Sequence, residues 1–570
     1  MNDIRRSILW VVFGLSMVLI WDKWQIHNGQ APTFFPSSAV SKPAAGATGS
    51  TTKDASVPAA QSTVAGAQGM AAPADAPRAV QMRHEVSTDV LKLVFNSEGG
   101  SIVGAQLLKH AQATEAKKAK DNQPFTLLMQ DQGRVYVAQS GLIGGSFPTH
   151  KTPMTLVGDP GTLSDGQNEL QVRFESDEVG GVRLVKTYTL TRGSYAIDVQ
   201  HEVVNNSGQA LNAQLYLQLV RDGNETDSGT PFYSTFTGPA VYTEASKFTK
   251  VAFSDIEKNK ASFDKTASNG YVAMVQHYFA AAWLLGDGVT RENFARKIDN
   301  NLFAIGAITA VPALEPGQSQ SVKARLFLGP QEEKVLEKIA PGLELVKDYG
   351  WLTILAKPLY WLLEKIHGFV ANWGWSIVAL VVLLKAAFYW LNASAYRSMA
   401  KMKAINPRIT EMRERLKSNP QQMQQEMMRM YREEKVNPLG GCLPIVIQMP
   451  VFIALYWVLS SSVEMRNAPW AAWIIDLSSP DPYFILPLVM AVTTMIQTAL
   501  NPLPPDPMQA KLMWMMPLMF SVMFFFFPSG LVLYWITNNV LTIAQQAHIN
   551  HRMGVPLKVT LPFELFKKAK

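Results

Sequence analysis

The first clear hydrophobic pattern runs from about residue 80 to residue 330. Short runs such as VRLVKTYTLT (182–191) and YAIDVQHEVV (195–204) alternate apolar and polar residues, and turn sequences such as NNSG and RDGN separate them. Neighbouring side chains of a strand point to opposite faces, so this period of two predicts antiparallel strands. The number of such runs predicts a large antiparallel β-sandwich over residues 81–335.

Long apolar runs replace the alternation in the second half of the chain. Each could form a helix that crosses much of the roughly 30 Å hydrocarbon core of a bilayer. The sequence Pro528-Ser529-Gly530 predicts a tight turn between the last two runs. The predicted transmembrane spans are 369–396, 442–463, 483–500, 512–527 and 531–549.

The start of the chain adds one more apolar run, within residues 1–24, which follows Arg5 and Arg6. A removable signal peptide is the alternative, but no small-residue cleavage site follows the run, so we interpret it as an uncleaved signal anchor. Ala, Gly, Ser, Thr, Pro and Gln dominate residues 36–80, so residues 25–80 predict a flexible linker. The predicted fold is therefore an α-helical bundle of six spans with a β-sandwich after the first span.

An apolar stripe at helical spacing follows the sandwich. Leu352, Leu359 and Ile366 belong to it, and Lys357 and Lys365 lie off it. The pattern predicts an amphipathic helix over residues 343–367 that lies in the membrane interface. A true span is the alternative, and it would reverse the orientation of every later segment.

Apolar residues in the segment 397–441 recur at alternating spacings of three and four. These residues are Met402, Ile405, Ile409, Met412 and Leu416 on one helix and Met423, Met427 and Met430 on the next. Asn419 and Pro420 between them are typical of a helix N-terminus. The pattern predicts an antiparallel helical hairpin with a heptad seam. Its basic outer face, with Arg413, Arg415 and Lys417, is a candidate docking surface for a polypeptide or ribonucleoprotein, and a passive connector is the alternative.

Basic residues predict the orientation of the spans. The formal net charge is +7; residues 397–435 hold ten Lys or Arg against five Glu, and the tail 550–570 holds five against one. The segment 464–481 holds only Arg466 against three acidic residues. Lys and Arg accumulate in cytoplasmic segments. Both termini and the hairpin are therefore predicted to be cytoplasmic, and the sandwich is predicted to lie outside.

Lys385 is the one charged residue between Phe369 and Tyr396. A charge at the centre of a span costs about 2.5–3.5 kcal/mol on insertion scales, so it requires a polar environment. Polar residues in other spans predict a hydrated groove. Its candidate lining residues are Lys385, Tyr389, Asn392, Gln448, Trp535, Asn538 and Asn539. The alternative is that the Lys385 side chain extends to the cytoplasmic interface.

Motifs of known enzymes are incomplete in this sequence. His84-Glu85 and His201-Glu202 begin like H-E-x-x-H but lack the second histidine, and neither G-x-S-x-G nor a phosphate loop occurs. The single cysteine, Cys442, excludes an intrachain disulfide. These observations argue against an envelope enzyme and predict no cofactor. A secondary transporter with Lys385 as a substrate or proton site is the alternative function, although the sequence shows no internal repeat.

Long motifs in the second half resemble the YidC/Oxa/Alb family of membrane protein insertases. They are NWGWS (372–376), YRSMAKMKAINPRI (396–409), EKVNPLGGCLPIVIQMPVFIALYWVL (434–459), VEMRNAPWAAWIIDLSSPDPYFILP (463–487), DPMQAKLMWMMP (506–517) and FPSGLVLYWITNN (527–539). The resemblance extends from Asp348 to Ile549, and the order of anchor, linker and sandwich is similar to that of the six-span bacterial members.

The resemblance implies an insertase and chaperone of the bacterial inner membrane rather than an enzyme. It implies a supersandwich-like periplasmic domain and a groove open to the cytoplasm and lipid but closed to the periplasm. Nascent integral membrane proteins are the implied clients. Membrane lipids, the Sec translocon with SecYEG and SecDF, the ribosome and the signal recognition particle are the implied partners, without sequence-specific nucleic acid binding.

Two residues depart from the family pattern. The family groove usually carries an arginine where this chain has Lys385, and Trp535 stands where a close relative has tyrosine. Lysine keeps the positive charge but lacks the planar set of five donors of a guanidinium group.

Overall fold

The computed structural model describes residues 56–59, 81–112, 123–131, 133–224, 235–416, 419–434, 443–501 and 507–554. These residues form two compact units whose main boundary in the sequence lies between Lys347 and Asp348. The predicted anchor, most of the predicted linker and most of the predicted tail lie outside the described residues, as does Lys417.

The first unit is a β-sandwich with two short helices, α1 (Phe253–Glu257) and α2 (Glu333–Ile339). Its strands in chain order are β1 Arg83–Ser87, β2 Leu91–Asn96, β3 Ser101–Ala111, β4 Pro124–Gln130, β5 Val135–Ile143, β6 Met154–Val157, β7 Glu169–Ser176, β8 Val182–Thr191, β9 Ala196–Asn205, β10 Gln214–Asp222, β11 Gly238–Thr243, β12 Lys247–Lys250, β13 Thr266–Ala267, β14 Tyr271–Val275, β15 Phe279–Leu285, β16 Arg291–Asp299, β17 Leu302–Ala310 and β18 Ser319–Pro330. Within the described ranges they form two nine-stranded sheets, ordered β1-β2-β3-β4-β5-β10-β17-β16-β13 and β12-β11-β14-β15-β18-β9-β8-β7-β6.

Alternation along the strands places their apolar residues in the core. In β9, Ile197, Val199 and Val203 are buried, whereas Asp198 and Gln200 between them are exposed. The neighbouring pairs β8–β9 and β9–β18 are antiparallel. The predicted antiparallel sandwich is therefore confirmed.

One part of the predicted flexible linker lies on the sandwich. The Arg296 guanidinium donates to the backbone oxygens of Ser56 (2.7 Å) and Val57 (3.0 Å). Gln218 also donates to the Ser56 oxygen. The backbone carbonyls of Ser56 and Val57 are therefore bound by one buried and one half-buried side chain of the sandwich.

The second unit is helical. Its helices are α3 Thr353–Val370, α4 Trp373–Ala387, α5 Tyr389–Arg415, α6 Pro420–Glu433, α7 Leu443–Ser461, α8 Ile485–Leu500, α9 Pro507–Met523 and α10 Ser529–Arg552. Its main apolar core draws on α3, α4, α7 and α10, through residues such as Leu363, Leu380, Val458 and Val532. The 3₁₀ turn Phe524–Phe526 and the residues Phe527 and Pro528 separate α9 from α10. The predicted break is therefore present, but Ser529 and Gly530 of the predicted turn are the first residues of α10.

The prediction of one continuous helix over 369–396 is wrong. The chain leaves helical geometry at Phe388, with φ −91° and ψ 9°, and α4 and the first part of α5 are bent by 68°. No proline or glycine marks this break in the sequence. Over the described residues no helix alone has the length and apolar composition of a membrane span, whereas this bent pair has them jointly.

The predicted amphipathic helix is present as α3, preceded by the 3₁₀ turns Leu343–Val346 and Gly350–Leu352. Leu359 and Ile366 from the predicted stripe pack against the main core of the second unit. Leu355, also in the run, is 39 % exposed, and Tyr360 is buried instead. The buried face is therefore rotated slightly from the predicted stripe.

Candidate functional site

Lys385 lies near the end of α4, which begins where the Asn372 side chain accepts a hydrogen bond from the Trp375 backbone N–H. The lysine is only 5 % exposed. Its Nζ donates to Thr542 Oγ1 on α10 at 2.8 Å. No carboxylate lies within ion-pair distance of this ammonium group in the described part of the chain.

Three of the predicted groove residues meet in one cleft. Lys385 comes from α4, Gln448 from α7 and Asn538 from α10. The cavity between these side chains is small, about 20 Å³, which is room for about one water molecule. Apolar and aromatic side chains complete its wall: Val381, Leu384, Phe388, Val451 and Tyr534. The cleft is thus polar at a few points on an apolar surface, as is common in binding sites.

The other four predicted groove residues lie outside this cleft. Asn539 donates to Thr493 and Thr494 on α8, which makes it a link between helices. Trp535 packs against Phe452, with ring centroids 4.6 Å apart. Tyr389, beyond the break, is 41 % exposed and Asn392 is buried.

Two polar residues of the site were not among the seven predicted lining residues. Thr542 binds the ammonium group, and Tyr534 lines the cleft. Tyr534 lies four residues before Asn538 and therefore on the same face of the helix, so this spacing could have identified it as a lining residue. Thr542 lies four residues after Asn538 on the same face of α10.

The hairpin has the predicted seam. Ile405, Ile409 and Met412 of α5 are buried against Met423, Met427 and Met430 of α6. The Asn419 side chain accepts from the Gln422 N–H and caps α6. The heptad prediction and the N-cap prediction are confirmed.

The basic face of the hairpin is partly neutralised. Arg415 pairs with Glu426 at 3.0 Å across the two helices, and Arg408 pairs with Glu434 at 2.9 Å. Arg413 lies on the same helix and is half-buried. The surface available to a partner is therefore a mixture of both charges rather than a purely basic one.

The sandwich contains a buried cluster of ionisable groups. Lys186 Nζ donates to the backbone oxygens of Gly99 and Ser140, both at 2.7 Å, and His201 Nε2 lies 2.8 Å from Ser140 Oγ. Burial lowers the pKa of Lys186 to about 7. Burial, together with the nearby charge of Lys186, lowers the pKa of His201 to about 3. The cluster links β5, β8 and β9 across the two sheets.

Both H-E pairs lie in the sandwich strands β1 and β9, as their sequence context predicts. Across the described ranges no three His, Cys, Asp or Glu side chains are grouped as metal ligands. His201 contacts a serine, and its imidazole is fully buried. These histidines therefore have a structural environment.

Two family models match consecutive parts of the chain and meet within α3. A family model described as the YidC periplasmic domain matches residues 83–362, and one described as a 60Kd inner membrane protein matches residues 365–555. The membrane protein insertase YidC of Cupriavidus metallidurans is 53 % identical over 97 % of this chain and 98 % of its own. The chain belongs to the YidC family of membrane protein insertases. The YidC of Burkholderia multivorans is 52 % identical over 97 % of this chain and 99 % of its own.

A solved structure described as an active YidC insertase with its first transmembrane domain resolved aligns with 80 % of this chain and 90 % of its own, at 16 % identity and a TM-score of 0.36. As a member of this family the chain is a membrane protein insertase rather than an enzyme, and its helical part matches the model of an inner membrane protein. The YidC family models also coincide with the two-part fold, a β-sandwich followed by helices.

Proposed function

We propose that the cleft around Lys385 receives a hydrophilic segment of a nascent membrane protein during insertion. The observation that carries this proposal is the convergence of Lys385, Gln448 and Asn538 from three helices. A cation without a neighbouring carboxylate attracts polar or acidic groups, and its attraction is stronger in a medium of reduced dielectric.

The cleft lowers the main barrier to insertion. Moving a polar segment into hydrocarbon without hydrogen bonds costs several kcal/mol for each unsatisfied group. Donors and acceptors of the cleft replace part of the lost hydration. Burial of the client's own apolar span, worth about 0.8 kcal/mol for each CH₂ group, then drives release into lipid.

The proposed topology has six spans, with both termini in the cytoplasm and the sandwich in the periplasm. The excess of Lys and Arg in residues 397–435 and 550–570 supports this orientation. The apolar helices Gln448–Ser461, Ile485–Leu500 and Ala510–Phe526 supply candidate cores for three of the spans. The exposed apolar side chains of α3, such as Ile354 and Trp361, support its contact with lipid.

The proposed partners act from both sides of the membrane. The hairpin and the basic tail are proposed to contact the ribosome and the signal recognition particle. The sandwich and the membrane helices are proposed to contact the Sec translocon, including SecYEG and SecDF. Arg413 and the Arg415–Glu426 pair give the hairpin both positive and negative groups, which supports binding of a partner surface that also carries both charges.

The test compares Lys385→Ala, Lys385→Arg and Lys385→Glu in proteoliposomes that insert small membrane proteins. Clients are graded by the charge of their translocated tails. Lys385→Arg should retain insertion, Lys385→Ala should lose much of it, and Lys385→Glu should be worst for acidic tails. Lys365→Ala, on the exposed face of α3, is the matched control. Equal insertion by Lys385→Ala and the parent for every client would refute the role of the lysine.

A secondary transporter with Lys385 as its substrate or proton site is the second candidate. The buried ammonium group of Lys385 in a small cleft favours a transporter, because ionisable residues inside membrane spans often mark substrate or ion pathways. Solute uptake in the same proteoliposomes separates the two functions. Uptake that depends on Lys385, without dependent insertion, would favour the transporter.

A further inference from the structure

The segment between α7 and α8, residues 463–484, is named the cap here. It has one short 3₁₀ turn, Val463–Met465, and otherwise irregular backbone. Nevertheless Met465, Ile474 and Leu477 are buried in the main core of the helical unit. An irregular segment can be buried only if its polar groups find partners.

The Asp476 side chain accepts hydrogen bonds from backbone and hydroxyl groups in the middle of the cap. Its Oδ1 accepts from the backbone N–H groups of Asn467 (3.1 Å) and Ser478 (2.8 Å) and from the Ser478 hydroxyl (2.7 Å). Its Oδ2 accepts from the Ser479 hydroxyl at 2.8 Å. One buried carboxylate therefore organises backbone on both of its sides.

Asp481 performs the same task at the entry to α8. Its Oδ1 accepts from Trp473 Nε1 (3.0 Å) and the Tyr483 N–H (3.0 Å), and its Oδ2 accepts from the Leu486 N–H (2.7 Å). The residue is 1 % exposed. All of these donors are neutral, so the carboxylate holds the fold through hydrogen bonds.

The cap is joined to α4 at its N-terminal end. Asn372, the N-cap of α4, donates to the Pro469 and Trp470 carbonyls at 3.2 and 3.1 Å. The Trp470 ring lies so close to Gly374 that a Cβ there would come within 2.2 Å of it. Glycine is therefore required for this contact.

The cap is also joined to α10 and α3. The N–H groups of Ser529 and Gly530 donate to the Ser479 and Leu477 carbonyls, at 2.8 and 2.9 Å. The Tyr360 hydroxyl of α3 donates to Glu464 at 2.6 Å. The unpaired N–H groups at the start of α10 thus find their acceptors in the cap. The cap fixes the same ends of the helices that carry the cleft.

The Lys385 cleft lies deeper along those helices. Lys385 is twelve residues beyond the start of α4 and Asn538 nine beyond the start of α10, which places them about 18 and 14 Å from the cap at 1.5 Å per residue. Leu380, Val458 and Leu531 lie closer to the cap ends of their helices than the cleft residues do, and all three are buried in the main apolar core.

We propose that Asp476 and Asp481 are positioning residues of the insertase, which hold the cap so that the cleft stays closed at its cap end. This inference rests on the proposed role of the cleft and on the proposed orientation, in which the cap faces the periplasm. The two aspartates act on the client through the helices and not by contact.

The test measures access to the cleft from each side of the membrane. Asn538→Cys in a Cys442→Ser full-length chain places a single thiol in the cleft, and a membrane-impermeant thiol reagent is applied to right-side-out or inverted vesicles. With the cap intact, labelling should occur only from the cytoplasmic side. In Asp481→Ala, the buried Leu486 N–H and the part-buried Trp473 and Tyr483 donors lose their acceptor, so labelling from the cap side should rise about tenfold or more.

Matched variants separate opening from general damage. Ile475→Ala changes a residue of the same segment that is 46 % exposed, and it should leave labelling unchanged. Asp481→Asn retains one acceptor oxygen for Trp473 and Tyr483 but places an NH₂ group opposite the Leu486 N–H, so it should restore part of the closure. If Asp481→Ala does not accumulate in the membrane, Trp473→Phe removes one donor and should give a smaller rise. Cap-side labelling that is the same in the parent, Asp481→Ala and Trp473→Phe would overturn the proposal.

The labelling experiment is independent of insertion activity. Normal insertion by Lys385→Ala would refute the proposed client role of the cleft, whereas the labelling pattern would still decide whether the cap closes it. Labelling of the parent from the cap side alone would contradict the proposed orientation and the closure together.

Discussion

Acid should destabilise the β-sandwich through His201. This imidazole is fully buried, and its pKa falls from 6.5 to about 3 in the folded protein. Below pH 6.5 the unfolded chain binds a proton at His201, whereas the folded chain does not until about pH 3. The contribution of His201 to stability is therefore complete above pH 6.5 and is lost progressively as the pH falls towards 3.

The expected magnitude follows from that difference. Each pH unit below 6.5 lowers the free energy of unfolding by about 1.4 kcal/mol, so the sandwich should be about 2 kcal/mol less stable at pH 5 through this residue. Lys186 adds little in this window. Its pKa changes from 10.5 to about 7, so the stability that depends on its titration is lost between those values as the pH falls. Below about pH 7 the lysine is protonated in both states.

The assay is urea unfolding of the full-length protein in nanodiscs at pH 7 and pH 5, followed by protease cleavage of the sandwich. His201→Gln retains a group that can bind the Ser140 hydroxyl but does not titrate, so its loss of stability between the two pH values should be about 2 kcal/mol smaller than that of the parent. His551→Gln, at an exposed position of α10, is the control. An equal pH dependence of the parent and His201→Gln would refute the reasoning.

Three further predictions concern other parts of the molecule. Deletion of most of residues 80–320 should leave client insertion largely intact, and a truncated protein that reaches the membrane but inserts nothing would show that the helical unit is insufficient. Arg413→Glu should slow insertion of ribosome-bound clients without unfolding the hairpin, and resistance of the hairpin to protease would show that it stays folded. Arg429→Glu, on α6, is the control that tests whether any loss of positive charge has this effect. Asn539→Ala should lower the melting temperature of the helical unit because two threonines lose their partner, at about 1 kcal/mol, while insertion persists; a loss of insertion at full stability would instead place Asn539 in the client path.

The parts of the structure that depend on local periodicity could be predicted from the sequence. Strand β9 alternates because one of its faces lies in the core, and the hairpin seam recurs because α5 and α6 pack along one stripe. Strand β15 shows no alternation, since all of its residues are buried. Its apolar sequence does not distinguish a strand from a helix.

The candidate site was predictable in its residue types but less so in its geometry. Polar residues in apolar helices predict a polar interior, and Lys385, Gln448 and Asn538 do meet. Consecutive helix residues are about 100° apart, so Asn538 and Asn539 face different neighbours. The break at Phe388 separates Tyr389 from the cleft. No proline or glycine at this point of the sequence indicates the break, so it depends on tertiary packing.

The continuous helix α5 gives the hairpin a mechanical connection to the cleft. Its 27 residues span about 40 Å, from the break at Phe388, beside Lys385, to Arg415 near the hairpin turn. Pro407 lies inside this helix, about 28 Å from the break, and allows a bend there. Over the part before that proline, a rotation of about 10° at Phe388 displaces the helix by about 5 Å. Conversely, a partner that binds the hairpin and tilts it would move Phe388, which lines the cleft. Under the proposed function, binding of a partner to the hairpin is therefore expected to change the shape of the cleft through this helix.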